Sequence, residues 1–522
     1  MGPCHDPVVA RHDVAIVGGG HNALVAATLL ARAGRSVVLF ERTAHFGGAA
    51  ISTRPFPGVD VSISPYAYLV SLLPGELVRD LGIDFELRTR RIASCSPDGE
   101  QALVIDNGDP RVTEESFDAV GLDADHRPFT QWQRAALTVA EVVAPTLMKP
   151  LKPPEHFRRQ LGPEAWDLLT GRPLGVSLEQ AFIGDLVRGL VLTDGLIGTF
   201  ARPGEPSLRQ NRCWLYHVIG DGTGQWRVPV GGMGRLADEL VRTATEAGAE
   251  LRPGDEVTVV EADGQRAEVT TEDGRRHEAV VVLCGAAPPV LRRLLGLPPL
   301  EGAPEGAQVK VNMVVRSLPP MGSRVDPVTA FTGTLHVNER ASQLEAAWEQ
   351  ADSGRVPTPV PCEVYCHSLT DPSILGPELR ASGAHTLSLF ALQTPARLFA
   401  RGAVDADRAL RACLASFQSV LAWPLEDCLL TMPDGRPCLE VHTPQHLEQE
   451  LALPGGNIFQ GDLQWPWAET DDEVGTWGVE TEIRNVLVCG SGARRGGAVS
   501  GIAGHNAAMA TLAVLEGANP RR

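Results

Sequence analysis

Apolar residues crowd into a short run at Val14-Ala15-Ile16-Val17 and then change rhythm. From Asn22 to Arg32 they recur at helical spacing, at Leu24, Ala27, Leu30 and Ala31. Gly18-Gly19-Gly20 separates the two patterns and Gly34 ends the second. Ser36 to Phe40 (SVVLF) is a second apolar run, closed by Glu41. The pattern predicts strand, glycine turn, helix, strand. It returns near the end of the chain, where Asn485 to Gly490 (NVLVCG) predicts a strand, SGARRGGAVSG a glycine-rich loop, and IAGHNAAMATLAVLEG a helix. Between them, VVVLCGAAPP (280–289) predicts a strand that halts at Gly285, with Pro288 and Pro289 expected to prevent a helix from opening. Residues 248–274, Val257 to Val260 among them, read as short strands and turns. PVPCEVYCHSL (359–369) reads as a strand. Asp185 to Phe200 carries an apolar face broken by Asp194-Gly195 and reads as a core helix rather than a membrane contact.

The first unit has the chemistry of a dinucleotide turn, Gly18-x-Gly20-x-x-Ala23. Gly18 permits the tight turn and Gly20 lets backbone approach a pyrophosphate. Position 23 must be small so that helix and strand pack closely. The backbone N–H groups of His21, Asn22 and Ala23 open the helix, where anions bind. Glu41 lies 18 residues beyond Ala23, at the end of the second strand, where a carboxylate accepts from ribose hydroxyls. The stretch Glu41-Arg42 to Gly47-Gly48-Ala49 resembles the N-terminal signature of FAD enzymes of the glutathione-reductase-like class. The second glycine-rich segment (Gly490, Gly492, Gly497, Ala498, Val499) offers a helix N-terminus to the flavin's pyrimidine edge. Val257 completes the cofactor-binding candidates.

Composition narrows the alternatives. The chain of 522 residues allows two to four domains or one interleaved pair, and 43% hydrophobic residues supply a sizeable core. A net charge of −18, spread along the chain, excludes nucleic acid as a natural partner. Ten cysteines are scattered without C-x-x-C, so they read as reduced, buried thiols. A disulphide reductase is thereby excluded. Cys362, Cys366 and His367 lack a second ligand pair at metal spacing, and no metal is expected. No apolar run reaches the ~18 residues of a membrane span, and MGPCHDPVVARHD lacks a signal core. A cytoplasmic location follows as an expectation. Oligomeric state is not legible.

Taken together, GGGHNALVAA (18–27), LTDGLIGTFARPGEPS (192–207), GQWRVPVGGMGRLADEL (224–240), LTDPSILGPELRASGAHTLSLF (369–390), PGGNIFQGDL (454–463) and CGSGARRGGAVSGIAGHNAAMA (489–510) resemble the phytoene desaturase-like flavoprotein family. Within it they are most similar to the pyridine nucleotide-disulphide oxidoreductase domain-containing protein 2 branch. The chain departs from that branch at Ala23, at Gln460, at Arg494-Arg495 and across TWGVETEIRNV (476–486). The resemblance implies an α/β (α+β) fold. Its glutathione-reductase-like Rossmann FAD-binding domain is built from the discontinuous segments 10–112, 224–292 and 455–518. A substrate domain at 293–454 is interleaved with it, and 113–223 forms a helical insertion that contains a proline-rich linker, Pro145 to Arg159.

Members of that family pass a hydride from an apolar substrate to FAD, chemistry that asks little of protein acids and bases. The expected activity is that of an FAD-dependent dehydrogenase, desaturase or oxidase acting on a largely apolar small molecule. A redox-neutral flavin isomerase, a flavin amine oxidase and a non-enzymatic FAD-holding protein remain open. No dedicated nicotinamide site is found. Candidates for a catalytic part are Arg495, Tyr66 and His217. Arg494 and Arg495 either stabilise reduced flavin or an acidic substrate, or face solvent. Tyr66 and Tyr68 line the substrate face or pack the core. His21 has a packing role beside the cofactor.

Overall fold

The computed structural model describes residues 10–400 and 404–517. Cys4, the N-terminal segment read for a signal core, and the last residue of segment 455–518 lie outside the described residues. The first sheet collects β1 (Ala10–Val17), β2 (Val37–Glu41), β7 (Glu250–Pro253), β8 (Val257–Ala262), β9 (Ala267–Thr271), β10 (Arg276–Cys284) and β16 (Val486–Val488). The second collects β4 (Ile92–Asp98), β5 (Gln101–Asp106), β11 (Val309–Val315), β12 (Thr334–Val337), β13 (Cys362–Tyr365), β14 (His385–Ala391) and β15 (Leu439–His442). β3 (Leu87–Thr89) and β6 (Arg227–Pro229) pair separately.

In the first sheet β7, β2, β1 and β10 run parallel, the arrangement produced when helices make the crossovers. The nine-residue β10 then divides one edge. Its first half pairs antiparallel with β9, and its second half parallel with β16. The chain's last strand thus lies two places from its first. Val14, Ile16, Leu39 and Leu283 are fully buried, as strands covered on both faces require.

The helix His21–Arg32 packs on Met233–Glu246 and on the C-terminal helix Ile502–Leu515. The second approach is very close. A Cβ at Gly504 would stand 1.9 Å from the Asn22 carbonyl oxygen, so only glycine fits there. The two glycine-rich segments are thereby held side by side.

The second sheet has the order β15-β11-β14-β13-β12-β4-β5 and is antiparallel except for β12 beside β4. β4 and β5 lie inside segment 10–112, yet their hydrogen-bond ladder joins them to β12, so residues 92–106 belong to the second sheet and not with β1 and β2. The helices between Pro110 and Ile219 bury Phe117, Phe157, Phe182 and Trp214 in an apolar core that they share with Leu103 and Ile105 of β5, Phe390 of β14 and Trp465 and Trp467. Pro145 to Arg159 is more ordered than a linker. Leu147 and Leu151 are buried, Leu151 N–H donates to Thr476 O (2.7 Å), and Pro154 opens a helix.

Another expectation is overturned at Pro288, where a helix does open, Pro288–Leu294. Proline is favoured in the first turn because the N–H it lacks has no partner there anyway. Asp185 to Phe200 is buried as expected, as a short helix to Leu192 and a tight turn at Thr193–Gly195. All nine described cysteines are free and buried. Among the described residues no helix is long and apolar enough to cross a membrane.

Candidate functional site

The turn between β1 and the first helix is built from its glycines. Gly18 takes φ +89°, a conformation rare for other residues. A Cβ on Gly20 would meet nothing within 4 Å, so the space over the turn is free of protein. Gly20 is the N-cap, and no side chain caps the helix. The first-turn N–H groups therefore face that space unsatisfied by any side chain. The Cβ of Ala23 stands 3.3 Å from a Cβ built on Gly285, which is why position 23 is small. Gly47 N–H donates to Gly19 O (2.8 Å) and ties the Gly47-Gly48 turn to the first.

Glu41 braces the same turn. One carboxylate oxygen accepts from Gly19 N–H (2.8 Å), and the other from the Thr43 N–H (2.8 Å) and hydroxyl (2.9 Å). Gly254 N–H donates to Thr43 O (2.8 Å), bringing the start of β8, with buried Val257, to this turn. The Arg42 guanidinium points elsewhere, to the carbonyls of Gln449 and Glu450 at the end of the helix Pro444–Leu451.

The C-terminal glycine loop reaches the first turn through His21, whose Nε2 lies 3.2 Å from Ala498 O. His21 is buried and held neutral, its pKa lowered to about 4 by desolvation. Gln460 closes the loop from behind. Its Oε1 accepts from Gly492 N–H (2.9 Å), and its amide N–H donates to Gly285 O (3.3 Å). A cavity of about 560 Å³ begins at His21, Ala49, Ser491, Gly497, Ala498 and Val499. It runs on between the second sheet and the helices, with His21 and Ala49 reaching it from the first glycine segment and Ser491 and Gly497 to Val499 from the second.

Arg494 and Arg495 do not line it. Both are buried, which excludes the solvent-facing reading. Arg494 donates to Trp465 O and Trp467 O and pairs with Glu469 and Glu473. Arg495 takes φ +68°, and its guanidinium donates to the carbonyls of Thr146, Lys149 and Trp477. Those acceptors draw it to the 144–149 turn and away from the cavity, which corrects its place among the catalytic candidates.

The remaining candidates face the cavity. Tyr66 and Tyr68 line it, their hydroxyls pushed up, that of Tyr66 to about 12, chiefly by desolvation. His217 lines it as well. Its Nδ1 lies 2.8 Å from Cys213 O, its ring stacks on Trp226, and burial lowers its pKa to about 4. A neutral, anchored imidazole of this kind positions a wall.

Sequence reasoning missed the charged part of the cavity. Lys310 stands in the middle of β11, with Nζ donating to Ser64 O (2.7 Å) and Tyr66 O (2.9 Å) and lying 4.3 Å from the centre of the Tyr68 ring. Desolvation lowers its pKa to about 7. A lysine inside the apolar run VKVNMVV was a readable signal. Further along are Arg90, Asp194, His336 and Glu363. They come from four distant segments, and only sheet pairing and helix packing unite them.

A model of the NAD(P)-binding Rossmann-like domain matches residues 16–79. A protein of Mycobacterium tuberculosis is 49% identical over 96% of this chain and 97% of its own length. The mouse pyridine nucleotide-disulfide oxidoreductase domain-containing protein 2 is 29% identical over 95% of this chain and 93% of its own. Among solved structures, a putrescine oxidase variant superposes with a TM-score of 0.60 at 17% identity, covering 97% of this chain and all of that one. That likeness assigns the fold, a mixed α/β architecture with a Rossmann-like unit.

Proposed function

On the premise that the chain belongs to the same family as its 49%-identical mycobacterial relative, we propose that it is an FAD-dependent oxidoreductase of small molecules. The proposal extends to the phytoene desaturase-like group suggested by the motifs. One observation carries it: the uncapped first glycine turn is tied through His21 to Ala498 of the C-terminal glycine loop, and His21 and Ala498 both line a single cavity. A cofactor that is a nucleotide at one end and a flat ring at the other needs two such loops.

The residues present fit FAD. The space over Gly20 admits a pyrophosphate, with the N–H groups of His21, Asn22 and Ala23 as donors. Glu41 stands where ribose hydroxyls need an acceptor, and Gly47, Gly48 and Ala49 border the turn. Gly490, Gly492 and Gly497 to Val499 take the ring end. Bound there, FAD supplies a two-electron acceptor.

The chain's own residues shape what meets it. Leu190, Val191, Ile197 and Trp214 give the cavity apolar walls that exclude water and orient a substrate body. His21 and His217 stay neutral, so neither adds charge beside the ring end. Lys310 holds or yields a proton at Nζ near neutral pH.

Anaerobic mixing of FAD-loaded protein with amphiphilic amines, alcohols and alkenes tests the reading. Bleaching of the flavin band by one class, with formation of the oxidised product in equal amount, is the expected result. A flavin that no class reduces, in protein that retains its FAD, removes the oxidoreductase assignment.

A further inference from the structure

We propose that the cavity wall formed by Asp194, His336 and Glu363 recognises an organic cation, so that the substrate carries an ammonium group at the end of an apolar body. This rests on the reading of the cavity as the substrate site.

The wall is assembled by register. His336 on β12 pairs directly with Glu363 on β13, which puts both side chains on one face of the sheet. Asp194 arrives from the turn that ends the helix Asp185–Leu192, and all three line the cavity. Behind them stands Glu339, which hydrogen-bonds His336 Nδ1 through one carboxylate oxygen. Its other oxygen is buried and without a partner, on a side chain 2% exposed. Glu363 accepts from the Tyr365 hydroxyl and stands 3.8 Å from His336 Nδ1. The Asp194 carboxylate is half-buried on the cavity wall and has no hydrogen bond or ion pair among the described residues. A carboxylate without a donor therefore faces the cavity, and a buried acceptor without a donor stands behind the wall.

Charge points the same way. From every element packed here, the acids are Asp194, Glu339 and Glu363. The cation is Arg90, and His336 adds a second when protonated. Cys213, Tyr68 and Tyr365 are uncharged. Lys310 sits farther off, with Glu440 as its charged neighbour. Three carboxyl groups face two cationic groups at most, so one positive charge is missing. Protons fill the gap in the empty cavity: burial raises Asp194 to about 6 and Glu363 to about 8. An ammonium group replaces them with one charge and several donors spread over separated acceptors. A divalent metal suits the wall less well. The donor atoms of His336, Glu339 and Glu363 lie within 4.8 Å of one another, but Asp194 stands outside that group and Arg90 faces it.

Calorimetric titration of the FAD-loaded protein with hexylammonium, hexanol and hexanoate at pH 8 tests the proposal. Hexylammonium should bind about tenfold or more tightly than hexanol, the factor that a charge-assisted bond supplies. Asp194→Asn should erase that preference and Glu363→Gln weaken it, with flavin content and melting temperature kept as checks of folding. Wild-type affinity for hexylammonium should fall as pH drops from 8 to 5, because the acids must lose protons to receive it. The proposal is overturned if hexanol or hexanoate binds as well, if the preference survives Asp194→Asn, or if hexylammonium does not bind. Stoichiometric manganese or zinc binding lost in Glu363→Gln also overturns it. Protein that binds no FAD yet prefers hexylammonium keeps the cation site and removes only the flavin reading.

Discussion

Replacing Arg495 with methionine separates a structural arginine from an electrostatic one. The guanidinium donates to Thr146 O (3.1 Å), Lys149 O (2.7 Å) and Trp477 O (2.6 Å), and the residue is 2% exposed. Three hydrogen bonds from a cation are together worth roughly 5–9 kcal/mol. Burial opposes them. It lowers the arginine pKa to about 10, equivalent to about 3 kcal/mol against the charged form, which still dominates at neutral pH. Methionine keeps the volume and the positive φ but abandons three carbonyls. A net loss of about 3 kcal/mol follows, or a melting temperature lower by about 3 °C in a chain this long that unfolds as one unit. Scanning calorimetry at neutral pH reads it, and redox titration of the bound flavin reads the alternative. The expected outcome is a lowered melting temperature with an unchanged potential. An unchanged melting temperature with a shifted potential would refute the reasoning and return Arg495 to the flavin.

Glu41→Ala should weaken FAD binding by about 1–3 kcal/mol, because the ribose acceptor and the brace on Gly19 are lost together. Fluorescence titration measures it, and an unchanged affinity means that Glu41 does not face the ribose. Lys310→Met should flatten the rise of stability with pH. With the folded pKa near 7 and the unfolded one near 10.5, the unfolded chain holds a proton that the native state lacks between those values, so wild-type stability gains there as pH rises. Parallel melting curves for wild type and variant from pH 7 to 9 would contradict this. NADH and NADPH should reduce the flavin slowly, since the helix after β10 opens with two prolines and offers few N–H donors to a second pyrophosphate. Stopped-flow reduction at ordinary catalytic rates would show otherwise.

Residues 14–41 were legible because strand, turn and helix there are local. Apolar rhythm and glycine placement specify them without distant partners; β2 and the helix His21–Arg32 appear within one residue of expectation, and β1 ends at Val17 as read but begins four residues earlier, at Ala10. Arg495 was misplaced for the opposite reason. Its neighbours in sequence are the glycine loop, but a positive φ and three carbonyls from other segments set its direction. Pro288 shows a local rule applied too broadly, since a proline that breaks a helix interior starts a helix well. The acid wall was invisible. Asp194 read as a flaw in an apolar stripe, and Glu363 passed between two cysteines that drew attention. Only the β12–β13 register brings Glu363 opposite His336. Lys310 alone gave a warning, a charge in an apolar strand.

The absorption spectrum of the purified protein, before and after incubation with FAD, tests the central claim most directly. The cofactor is released by denaturation and identified by mass. One non-covalent FAD per chain is the result that two glycine loops joined through His21 and Ala498 predict. Protein that shows no flavin band even after reconstitution, while folded by calorimetry, would contradict it.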